Sequence, residues 1–103
     1  MVGFYACKGP ESAEAPAALL SEQQIRKFDN AFFEGIKHKS LDQYPEAIRS
    51  FEKAIQLDPS QAAAHYELAQ VYLLDDRAEP AQIAAERAVQ LDPENEWYSI
   101  LLI

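Results

Sequence analysis

Cysteine occurs once in the 103-residue chain, at Cys7. A single thiol excludes an internal disulfide and any zinc or iron–sulfur centre built from several cysteines. Glycine is nearly as scarce: three residues, never clustered, leave no glycine-rich loop of the kind that cradles phosphates. Basic residues are few as well, 9 Lys and Arg against 17 Asp and Glu, for a formal net charge of −8. That balance argues against nucleic-acid binding, which needs a basic stripe to meet the phosphate backbone. No apolar run approaches the ~20 residues that a helix needs to cross a bilayer. The only histidines, His38 and His65, have no carboxylate arrangement that suggests a base or a metal ligand, and Cys7 has no histidine beside it. The expectation is a non-catalytic protein with no cofactor and no metal site. His65 reads as a structural histidine, and Asp75-Asp76 as solvated turn residues.

What is present is ordinary globular material, 49% apolar and 25% charged. The acidity is uneven. Residues 1–20 and 21–59 each sum to −1, whereas residues 60–103 carry eight acids against Arg77 and Arg87 alone, a net −6. Such a surface serves solubility first and attraction to a basic partner second.

Residues 1–20 are rich in Gly, Pro, Ala, Ser and Glu and show no period, which reads as a flexible tether. Ala6-Cys7, with Val2-Gly3-Phe4-Tyr5 upstream and a polar linker downstream, resembles the end of a bacterial lipoprotein signal, in which the cysteine carries the lipid. A signal also needs a basic start and an apolar stretch of ~7–15 residues, and only six residues precede Cys7. Two readings therefore stand: a lipid-anchored envelope protein attached to the membrane through Cys7, or a cytoplasmic protein with a free cysteine in its tail.

The rest of the chain repeats itself. Gln56-Leu57-Asp58-Pro59 recurs 34 residues later as Gln90-Leu91-Asp92-Pro93. At the same offset Ala47 matches Ala81, Glu52 matches Glu86, Ala54 matches Ala88, Phe32 pairs with Tyr66, and Asp42 matches Asp76. Each unit carries two helical stripes. Phe28, Phe32, Gly35, Ile36 and Lys39 step by three or four, as do Ala47, Ile48, Phe51, Ala54 and Ile55. Ser21 followed by Gln24 forms a capping-box signal, so the first helix starts before the repeat does. Turns are expected at residues 40–43 and 75–77, and Asp58-Pro59 and Asp92-Pro93 end the second helices. Pro45 and Pro80 fall in the opening turns of those helices, where a missing N–H does no harm.

In its period, its small residues Gly35, Ala47, Ala54, Ala69, Ala81 and Ala88, its large rings Tyr44, Phe51 and Tyr72, and its prolines Pro59 and Pro93, the sequence resembles the tetratricopeptide repeat family. It departs from the family pattern at His38, Ala78 and Ala85, where aromatics are usual. Asp42 and Asp76 stand at the usual turn glycine, and Ala31 and His65 at the usual tryptophan. The resemblance implies an all-α, right-handed solenoid of helix pairs. The expected organisation is a tether at 1–20 and a helical domain at 21–103, with repeats at 28–61 and 62–95 and the start of a third at 96–103. That last piece ends in Ile100-Leu101-Leu102-Ile103, apolar on every side. It reads either as part of a longer protein or as a short helix packed on the second repeat.

Family members hold a peptide segment of a protein partner in the concave groove formed by the first helix of each pair. Carried over residue by residue, the groove holds Phe32, Ile36 and Lys39 from the first repeat. Tyr66, Gln70 and Leu73 come from the second, and Trp97 from the third. Lys39 and Gln70 are then its polar handles. One family subset clamps a C-terminal carboxylate with Lys and Asn, but Phe32 and Ile36 stand at those two places here. The function expected is a protein–protein interaction module that binds a peptide or helix. The alternatives are an assembly scaffold within a longer envelope lipoprotein, and a groove filled by the helix extension from Ser21.

Overall fold

The computed structural model describes residues 20–101. The tether reading, Cys7 and its lipidation lie outside the described residues, as do Leu102 and Ile103. Five helices follow in order: α1 (Glu22–Ser40), α2 (Tyr44–Leu57), α3 (Ala62–Leu74), α4 (Ala78–Leu91) and α5 (Glu96–Ile100). Among the described residues there is no strand, and no helix is long and apolar enough to cross a membrane.

Local sequence explains each boundary. Ser21 Oγ accepts from the Gln24 amide at 3.1 Å while Gln24 Oε1 accepts from the Ser21 amide at 3.0 Å, which completes the capping box and starts α1 ahead of the repeat. From there α1 runs as one continuous helix to Ser40, so the extension lengthens α1 along its own axis. Pro45 and Pro80 lie in the first turns of α2 and α4. Between the helices of each pair, Asp42 and Asp76 both take φ +60°, the left-handed conformation that ends a helix and that favours glycine. Asp58 terminates α2 and organises the next turn: its Oδ1 accepts from the Ser60 amide at 3.1 Å and the Ser60 hydroxyl at 2.7 Å, and its Oδ2 from Gln61 Nε2 at 3.0 Å. Asn95 caps α5 by accepting from the Trp97 amide at 3.0 Å.

The helices pack as consecutive pairs, α1 on α2 and α3 on α4. Helix α2 also packs on α3, and α4 on α5. This is an all-α solenoid of stacked helix pairs. Its core holds the small residues that let helices approach closely, with Ala47, Ala54, Ala64 and Ala69 fully buried, and a few large side chains that fill the gaps. Phe51 and Val71 are the largest fully buried ones. Gly35 has a specific reason to be glycine, because a Cβ there would lie 2.5 Å from Phe51 Cε1. The missing side chain lets the Phe51 ring lie against the α1 backbone. His65, 8% exposed, has Nε2 3.0 Å from the Pro59 carbonyl oxygen, a structural role in agreement with the sequence reading.

Comparison of residues 34 apart separates the two ends of the stack. Ala64, Leu68, Val71 and Tyr72 are buried in α3, with Tyr72 Oη reaching Glu52 of α2 at 3.3 Å. The residues at the same places in α1 are Asn30, Glu34, Lys37 and His38, all polar and none buried. At these four places α1 is polar where α3 is apolar, although Phe33 also stands 65% exposed on α1.

Candidate partner-binding surface

The first helices α1, α3 and α5 form one face of the stack. Lys39 of α1 is joined to α3: its Nζ lies 2.7 Å from Glu67 Oε1 and donates to Gln70 Oε1 at 3.0 Å. Gln70 Nε2 in turn donates to the Tyr66 hydroxyl at 3.0 Å. The Tyr66 ring meets Tyr98 of α5, with centroids 4.8 Å apart and planes tilted by 37°. One connected chain of side chains thus crosses α1, α3 and α5. Burial pushes the Tyr98 pKa above the ordinary phenol value, and the nearby negative charges of Asp92 and Glu67 act in the same direction. Tyr98 is therefore a neutral hydroxyl at physiological pH.

The residues expected in the groove occupy three different situations. Phe32 is half-buried, stacked on Phe28 at 5.9 Å and edge-on to Phe51 at 5.7 Å, and Ile36 also packs against the core. Lys39, Gln70 and Tyr66 belong to the polar chain. Lys39 has its charge matched by Glu67, a residue absent from the sequence-derived set. Leu73 and Trp97 are exposed, at 44% and 71%, alongside Leu74 and Ile100. Glu67 was hidden because its partner is 28 residues away, and a helical stripe relates only near neighbours along one helix.

Two clefts lie elsewhere. One sits between the start of α1 and the 58–61 turn, lined by Ile25, Phe28, Pro59 and Leu91. The other lies between the second helices α2 and α4, floored by His65, Leu68 and Tyr72, with Ile83 at its edge. Among the described residues, no group of three or more His, Cys, Asp and Glu could hold a metal ion.

Residues 37–75 match the family model for the TPR repeat, and residues 62–95 match that for the tetratricopeptide repeat. Together these matches span more than half of the chain. The chain belongs to the tetratricopeptide repeat family. No curated protein matches it. TPR repeats generally act as scaffolds for protein–protein contact, and this TPR protein is a protein–protein interaction module. In such a stack every unit adds one first helix to the shared face, so residues as distant in sequence as Lys39, Glu67 and Tyr98 come to line it together.

Proposed function

We propose that the face formed by α1, α3 and α5 is a groove that holds a peptide or helical segment of a partner protein. The observation that carries this reading is the placement of Leu73, Leu74, Trp97 and Ile100, large apolar side chains 44–71% exposed on the first helices. Exposed aromatic and aliphatic side chains beside a rigid polar network suit a partner anchored by a few apolar residues. Phe32 and Ile36 form the packed floor at one end, and Lys39, Gln70 and Tyr66 supply fixed polar edges. The stack itself supplies rigidity, so little ordering of the protein accompanies binding.

The test is capture of partners by wild type and by a Leu73→Ala plus Trp97→Ala variant, with Ile83→Ala on the opposite face as control. Both side chains are exposed, so the fold should survive their truncation, and circular dichroism checks this. Loss of a partner with the groove variant and retention with the control supports the groove. Retention with the groove variant contradicts it.

A further inference from the structure

The two halves of this face differ in electrostatics, and the difference points to the chemistry of the partner. Between α1 and α3, Lys39 is matched by Glu67 at 2.7 Å. A 34-residue step carries that pair onto Leu73 and Leu101, so between α3 and α5 the ion pair gives way to two apolar residues. Acids adjoin these apolar residues in the chain. Asp75 and Asp76 follow Leu73 and Leu74, and Glu94 and Glu96 precede Trp97. Among the described residues, the ion pairs made by the acids of residues 60–101 are Glu67 with Lys39 and Asp75 with Arg77, the latter only at 4.0 Å. Arg77 also lies over the Tyr72 ring, 5.1 Å from its centroid.

Resting on the groove reading, we infer that the α3–α5 half of the face takes an amphipathic segment whose apolar anchors are flanked by Lys or Arg. Leu73, Leu74, Trp97 and Ile100 meet the anchors, and Asp75, Asp76, Glu94 and Glu96 meet the cations. Charge disfavours a second copy of this chain, since a symmetric contact would bring the same acidic patch together from both copies. End-to-end stacking fares no better, because α1 sets Asn30, Glu34, Lys37 and His38 where α3 packs Ala64, Leu68, Val71 and Tyr72, and the exposed Phe33 alone does not replace that apolar surface. An acidic partner meets the same repulsion as a second copy.

Trp97 is the only tryptophan and is 71% exposed, so its emission reports docking. The probes are a synthetic leucine–lysine amphipathic helix and its leucine–glutamate twin, titrated into the whole chain at neutral pH. The lysine peptide should shift the Trp97 emission to the blue and bind at least about tenfold tighter than the twin at low salt. High salt should narrow that gap, as should Glu94→Gln plus Glu96→Gln. Leu73→Ser plus Leu74→Ser should weaken binding, whereas Ile83→Ser should not. Equal binding of both peptides, still lost with the leucine variant, overturns the charge selection and leaves the groove standing. Absence of binding, or binding indifferent to the leucine variant, overturns both. A sedimenting dimer with Trp97 shielded in the free protein overturns the inference in favour of a second copy.

Discussion

Lys39 Nζ lies 2.7 Å from Glu67 Oε1 and so ties the first helix of one helix pair to the first helix of the next. Both side chains are largely shielded from water, 24% and 19% exposed, and Gln70 shares the ammonium at 3.0 Å. Removing either partner strands the other charge in a partly desolvated place. Lys39→Ala is expected to cost about 1–3 kcal/mol, read as a lower thermal midpoint. Lys39→Met with Glu67→Met should be less destabilising than the sum of the two single changes, because neither charge is then left alone. Additive losses would show that the pair contributes nothing as a pair.

Gly35 and Phe51 make a second prediction. The Phe51 ring is fully buried, and three of its atoms lie within 2.7 Å of where a Gly35 Cβ would stand. Gly35→Ala raises helix propensity, which on an exposed helix stabilises by roughly 1 kcal/mol. Here the clash should reverse the sign, with a net loss of about 1–3 kcal/mol in chemical denaturation. Phe51→Leu in the Gly35→Ala background should cost less than Phe51→Leu in wild type.

The turns at Asp42 and Asp76 share φ +60° but not their partners. The Tyr44 hydroxyl donates to Asp42 Oδ1 at 3.1 Å, whereas no such bond is made to Asp76 among the described residues. Glycine relieves the backbone at both positions at the expense of a more flexible unfolded chain. Asp76→Gly should therefore stabilise by about 0.5 kcal/mol, and Asp42→Gly by less. A β-branched residue such as Asp76→Val should destabilise clearly in the same thermal assay.

Asp58 sets a pH dependence. Burial alone would raise its pKa, but the hydrogen bonds from the Ser60 and Gln61 side chains and the Ser60 amide outweigh burial and hold it below the ordinary carboxylate value. Because the folded pKa lies below the unfolded one, the ionised carboxylate stabilises the fold above the unfolded value. That contribution is lost as pH falls through the folded value. Wild type should lose stability in this acidic window. Asp58→Asn should start less stable at neutral pH and lose less on acidification.

Much of the fold is legible in the sequence because the same small and apolar residues return every 34 positions. The helices, the Ser21 capping box, the turn prolines and the structural role of His65 all follow from residues close together in the chain. The charge match of Lys39 is not legible in this way. Its partner lies on another helix, and only the stacking of units brings Glu67 to it. Nor does a list of matched positions reveal where α1 is polar and α3 apolar. That information sits in the mismatches, where Asn30, Glu34, Lys37 and His38 stand opposite Ala64, Leu68, Val71 and Tyr72 in the next unit. Phe32 and Ile36 share their stripe with core residues, and periodicity alone does not divide a stripe into packed and exposed positions.

Site-specific photo-crosslinking tests the central claim most directly. A photoreactive phenylalanine analogue is placed in turn at Leu73 and Trp97 on the first-helix face, and at Ile83 and Glu86 on α4. All four positions are exposed, so each variant folds and differs only in where it reaches. With a captured partner bound, adducts should form at positions 73 and 97 and fail at 83 and 86. Adducts confined to 83 and 86 would place the partner on the second helices and contradict the groove.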